Sequence, residues 1–274
     1  MNLFPWREKR LRTVWRVGKN CKESFLVGTA HFSPYSFRKT LTRLVQGAET
    51  VLFEGPLDQE SMAEVARYGN RGEGTPSVYD ALDPALIREI NRQLADRSRP
   101  AATAVPYLDL ISAKPSGFLE QHARDVRPWM AFFVTWAAFL NWKHSMDMEA
   151  FQIARKLAKK VEYLETIGDQ LKALDGIPFD RIVNYFRKFN SWSAHRELFT
   201  KVFIEGNPQS FLSLTGEFPT RCESIIGKRD PLFFTGIRGS FEKRQTTAFV
   251  GVGHLPGILK LFLDEGYRVT QESP

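Results

Sequence analysis

Four residues in this sequence combine a reactive side chain with a position that exposes it: His31, Glu54, Glu165 and His254. His31 closes Val27-Gly28-Thr29-Ala30-His31, and His254 closes Val250-Gly251-Val252-Gly253-His254, so one Val-Gly-x-x-His pattern recurs near opposite ends of the chain. Glu54 follows Val51-Leu52-Phe53 and Glu165 follows Val161-Glu162-Tyr163-Leu164. Two imidazoles with one or two carboxylates suit a divalent cation such as zinc, manganese, cobalt or iron, and with no thiolate beside them the residue types do not choose among these. Such a cation brings the pKa of a bound water near neutrality and polarises a carbonyl, while a spare carboxylate, Glu54 or Glu165, takes the proton of the water. Without a cation the same set allows a histidine general base and a carboxylic acid. Arg229 and Asp230, in Gly227-Lys228-Arg229-Asp230, add a cation for an oxyanion or a substrate carboxylate and a partner to orient it.

Each residue also has a plain structural explanation. A histidine after a strand is commonly structural, Glu165-Thr166 can simply begin a helix, and Arg229 with Asp230 can be a surface ion pair. The matching contexts of the two histidines weigh against that for His31 and His254. Glu54 resists it too, because carboxylates are rarely buried unpaired, although it can cap a neighbouring helix. His122, His144 and His195 lack ligand spacing and read as surface or satisfied residues.

The elements that must hold these groups read as an α/β fold. Four short apolar runs, ending near residues 28, 53, 164 and 250, read as buried strands, and each delivers one candidate group at its C-terminal end, where ligands of open α/β sheets bind. Helical patterns fill the gaps, as crossovers between parallel strands require. Leu41, Leu44, Val45 and Ala48 mark one helix; Leu259, Phe262 and Leu263 mark another after Leu255-Pro256-Gly257. Further helices are expected over 84–94, capped by Asp83, and over 128–143, 147–159 and 179–189. The expected architecture is a central mixed sheet with parallel pairs, flanked by helices, carrying a mainly helical insertion or lid over 58–160. Residues 1–24 read as a basic extension and 25–270 as a single domain. The aromatic cluster at Trp129, Phe132, Phe133, Trp136, Phe139 and Trp142 reads as core.

The 274 residues carry 43% hydrophobic and 25% charged side chains, which excludes collagen-like, low-complexity and disordered classes. The net charge of +7 is spread along the chain, so nucleic acid is not an expected partner. The mostly apolar run at 129–140 falls short of the roughly 20 residues a membrane span needs. No leader pattern reads at the start, which makes a cytoplasmic location the expectation. Homo-oligomerisation stays open.

Taken in order, Gly28-Thr29-Ala30-His31-x-Ser33, Val51-Leu52-Phe53-Glu54, Arg127-Pro128-Trp129, Met146-Asp147, Leu164-Glu165-Thr166 with Gln170, Lys228-Arg229-Asp230 and the segment 250–257 resemble the TraB/GumN family. That family is related to the Tiki proteins, Wnt-inactivating metalloproteases, within an erythromycin esterase and haem-binding ChaN-like superfamily. The resemblance implies a metal-dependent peptidase acting on a peptide or protein substrate. It implies His31, Glu54 and His254 as catalytic metal ligands, Glu165 and Arg229 as further catalytic residues, and Arg229, Asp147 and Asp230 on the substrate side. A metal-independent ester or amide hydrolase and a non-enzymatic haem- or peptide-binding protein are the alternatives it leaves.

Overall fold

The computed structural model describes residues 9–19, 22–95, 117–207, 210 and 216–272. Within them one mixed sheet is built from β1 (Val14–Lys19), β2 (Lys22–Thr29), β3 (Thr50–Phe53), β4 (Lys160–Tyr163), β5 (Thr246–Gly251) and β6 (Arg268–Gln271). Their spatial order is β4-β3-β5-β2-β1-β6. The four apolar runs become β2, β3, β4 and β5, and these are consecutive and mutually parallel. β3 and β5 are almost wholly buried, which is why they read as unbroken apolar runs rather than alternating ones. β4 differs from the expected buried strand: it lies at the sheet edge, so its four residues are exposed or half-buried.

Residues 14–19 and 22–24, expected as part of a basic extension, instead form β1 and the start of β2, with β1 antiparallel to both β2 and β6. Its basic residues are on the sheet: Arg16 pairs with Glu23 at 2.9 Å and with Glu272 at 2.6 Å, from the neighbouring strands. Residues 1–8 of that stretch lie outside the described residues.

Two apolar cores result. One packs the sheet against the helices Arg38–Gly47, Met146–Lys156, Arg229–Phe241 and Leu255–Asp264. The rings of Phe53 and Phe249, on neighbouring strands, stack there at 5.3 Å, a geometry that adds about 0.5–1.5 kcal/mol to their burial. Leu255, Ile258, Leu259 and Phe262 form the buried stripe of the last helix, whereas Leu263, expected on that face, is 57% exposed because it falls one step further round the helix.

The second core is a helical lobe drawn from Gln59–Tyr68, Pro84–Ala95, Phe118–His122, Pro128–Leu140, Ile167–Asp175 and Phe179–Arg187. It therefore runs past the expected 58–160 segment, while Met146–Lys156, inside that segment, belongs to the sheet layer; residues 96–116 lie outside the described residues. Pro128–Leu140 is apolar on all sides and sits between the lobe's core and the cleft described below. Among the described residues no helix is long and apolar enough to cross a membrane.

Candidate active site

Strand register brings the candidate groups together. Thr29 stands opposite Gly251 across β2 and β5, and Phe53 opposite Phe249 across β3 and β5, so three adjacent strands end side by side. His31 lies two residues beyond β2, Glu54 one beyond β3, and His254 three beyond β5. Gly251 sits among all three: a Cβ there would stand 3.2 Å from Oε1 of Glu54, 3.7 Å from Cδ2 of His254 and 3.8 Å from Nε2 of His31. Its bare backbone also donates its N–H to Oε1 of Glu54 at 2.5 Å.

Each imidazole is held from behind by an aspartate. Nδ1 of His31 is 2.8 Å from Oδ2 of Asp147, whose Oδ1 accepts from the Thr29 hydroxyl at 2.5 Å. The His31 loop reaches Asp147 because Ser33 and His144 pair backbone to backbone and Met146 N–H donates to the Ala30 carbonyl. Ser145 then caps the helix that carries Asp147. Nδ1 of His254 is 2.6 Å from Oδ1 of Asp230, and Nη1 of Arg229 approaches its Nε2 at 3.5 Å. Arg229 as donor to Nε2 assigns the ring proton to Nδ1, shared with Asp230. Asp147 and Asp230, expected on the substrate side, are thus buried partners of the two rings.

Arg229 joins the carboxylates. It donates to Oε2 of Glu54 at 2.9 Å and to both oxygens of Glu165, at 3.0 and 2.5 Å. Asp230, expected to orient Arg229, holds His254 instead, and the glutamates orient the guanidinium. The backbone ties the glutamates as well, with Glu165 N–H donating to the Glu54 carbonyl at 2.9 Å. Thr166 caps Ile167–Asp175 in a full capping box, so the helix-start reading and the functional reading hold for adjacent residues. A five-residue π-helical turn, Glu223–Gly227, immediately precedes the segment bearing Arg229; such turns often re-aim side chains at functional sites.

The charges follow from these contacts. Burial opposes charge on Glu54, but His254, Arg229, His31 and the Gly251 N–H overcome it and hold its pKa at about 2. Burial likewise opposes the His31 imidazolium, yet Asp147, by charge and hydrogen bond, raises its pKa to about 9. Glu165 is shifted upward, because burial outweighs the pull of Arg229 and Glu54 adds repulsion. His31 is the open member of the set, its side chain 55% exposed in the cleft, whereas Glu54, His254, Arg229, Asp147 and Asp230 are buried.

The donor chemistry fits a divalent cation. With Nδ1 of each ring held by an aspartate, His31 has Nε2 left for a ligand role, His254 shares its Nε2 with Arg229 at 3.5 Å, and Glu54 offers Oε1 beside them, so a cation would take the place of the Arg229 contact. Among the described residues no group of three or more His, Cys, Asp or Glu already stands at ligand spacing, and Glu54 is at present shared with Arg229.

These groups open onto a cavity of about 250 Å³ whose other walls are mostly apolar, among them Leu57, Trp129, Phe133, Trp136 and Leu174, with His195, Arg221 and Gln170 as polar exceptions. Three of its residues escaped sequence reasoning. Thr29 lies inside a quoted motif but was given no role. Arg221, which donates to the Gly253 carbonyl at 2.7 Å, sits in a loop with no diagnostic spacing. His195, set aside as surface or satisfied, lines the cavity; its Nδ1 is 3.1 Å from the Tyr185 hydroxyl and its Nε2 is buried with no partner among the described residues.

A cleft at the ends of parallel strands, with paired imidazoles, a strand-end glutamate and a buried arginine, is thus the candidate site of an α/β protein. The TraB/PrgY/gumN family matches residues 13–271, and the chain belongs to that family. No curated protein matches the chain at a significant level.

Proposed function

We propose that this protein is a divalent-metal-dependent hydrolase that cleaves a peptide bond, with His31, Glu54 and His254 at its centre. One observation carries the reading: Asp147 and Asp230 each bind the Nδ1 side of an imidazole, which turns both Nε2 atoms toward the side on which Glu54 lies, with Arg229 reaching that of His254 only at 3.5 Å. A carboxylate behind each ring fixes its tautomer and raises its basicity, as around catalytic cations generally. Bound by those three side chains, a divalent cation supplies an acidified water and a polarised carbonyl. The remaining work falls to the chain itself. Thr29 orients Asp147, Glu165 anchors Arg229, and Arg229 keeps Glu54 ionised while adding positive charge where an oxyanion develops.

A second reading is favoured by the Arg229–Glu54 contact and by the elevated His31 pKa of about 9. In it the hydrolysis needs no metal: His254, whose ring proton is shared with Asp230 at Nδ1, takes the proton of the attacking water at Nε2, and the His31 imidazolium gives its proton to the leaving group.

Elemental analysis of tag-free protein, followed by peptide and ester substrates with and without chelator, tests both. The first reading expects a stoichiometric divalent ion and peptide cleavage that chelation abolishes and manganese, cobalt or zinc restores. Cleavage that survives exhaustive chelation selects the second. A Soret band on haem titration with no turnover of either substrate class overturns both in favour of a binding protein.

A further inference from the structure

Resting on the hydrolase reading, we propose that the cavity beside His31, Glu54 and His254 is a specificity pocket for one large apolar side chain of the substrate, adjacent to the carbonyl under attack. The helix Pro128–Leu140 carries the argument. A helix that is apolar on every side needs cover on every side. Phe132 and Phe139 receive it from the lobe's core and are fully buried. Trp129, Phe133, Trp136 and Leu140 follow one another at helical spacing of four, three and four residues, one stripe along the helix, and that stripe lines the cavity. Leu57 and Leu174 contribute further apolar wall, and the catalytic groups close one end.

Size and chemistry narrow the occupant. A cavity of about 250 Å³ exceeds the roughly 150 Å³ engineered cavity that binds benzene, and falls below the roughly 300–1,000 Å³ of sites that enclose whole drug-sized molecules. One aromatic or long aliphatic side chain fits, with the polar backbone that bears it left at the end occupied by His31, Glu54, Arg229 and His254. Although His195 and Arg221 also line the pocket, most of its wall is apolar and recognises by removing apolar surface from water, so apolar bulk is what it chiefly selects.

Trp129, Trp136 and Trp142 line the pocket and report on its filling without any turnover. Titrating the protein with N-acetyl-phenylalaninamide, N-acetyl-leucinamide and N-acetyl-alaninamide while reading tryptophan fluorescence is the test. The phenylalanine and leucine amides are expected to bind at least about tenfold more tightly than the alanine amide, the ratio that burial of such a side chain provides. Leu174→Trp and, from another wall, Leu57→Trp are each expected to erase most of that ratio. Equal binding of the three amides by the wild-type protein overturns the proposal, as does a ratio left intact in both filled variants when they fold. Peptide cleavage that prefers alanine at this position would sink the pocket and leave the hydrolase standing. Tight phenylalanine amide binding with no cleavage of any substrate would do the reverse.

Discussion

Gly257 is what lets Asp230 reach His254. A Cβ at position 257 would collide with Oδ2 of Asp230, the carboxylate whose other oxygen sits 2.6 Å from Nδ1 of His254. Gly257→Ala is therefore expected to displace the carboxylate and free the ring, lowering turnover by about 10–100-fold, the range typical of removing such a partner. Asp230→Asn should do the same, and the double variant should fall no further, because both changes break one contact. Steady-state kinetics on the three variants checks this, with thermal melting to show that the helix tolerates alanine.

Asp147 should control the ionisation of His31. Asp147→Asn removes the charge that raises the His31 pKa to about 9, and the pKa read by NMR on metal-free protein is expected to fall toward 6.5. The sign for stability follows. A pKa raised on folding contributes stability that is complete below 6.5 and is lost as pH rises through 9, so the advantage of the wild type over Asp147→Asn should shrink across that interval. Urea midpoints at the two ends measure it.

Arg229 holds two buried carboxylates at once. Arg229→Met strands Glu54 and Glu165 in a buried setting, and breaking a buried pair from one side costs about 3–5 kcal/mol. Adding Glu165→Gln should recover part of that loss, since one of the two orphaned charges is then gone. Urea denaturation of the single and double variants gives the comparison.

His195 should make the lobe sensitive to acid. Burial lowers its pKa below 6.5, so the unfolded chain takes up a proton at pH values where the folded ring does not. Proton uptake by the unfolded state means that stability drops as pH falls below 6.5. His195→Phe is expected to reduce the difference between urea midpoints measured at about pH 7 and about pH 5, whatever its effect on absolute stability.

Much of the scaffold was legible because β3 and β5 are buried on both faces and so stand out as apolar runs ending at Glu54 and Gly251. β1 and β6 were not, since Arg16 and Arg268 interrupt their apolar pattern and find acidic partners only across strands or at chain ends distant in sequence. The convergence of His31, Glu54, Glu165 and His254 was readable from strand ends, while Arg229 comes to them from the start of a helix. The duties of Asp147 and Asp230 were not, because sequence does not tell which ring nitrogen a carboxylate meets. Trp129, Phe133 and Trp136 read as core for a physical reason too: a stripe facing a cavity and a stripe facing a neighbouring helix have the same composition.

The sheet order has a consequence for biosynthesis. β5 separates β2 from β3, yet it is made more than two hundred residues after β2 begins. His31, Glu54 and Glu165 are therefore all made before the strand that lies between β2 and β3. Long-range pairing of this kind is slow to form. The candidate site is thus complete only once β5 and His254 have been made, and a chain that stops anywhere before Thr246 lacks both the strand and the ring that close it.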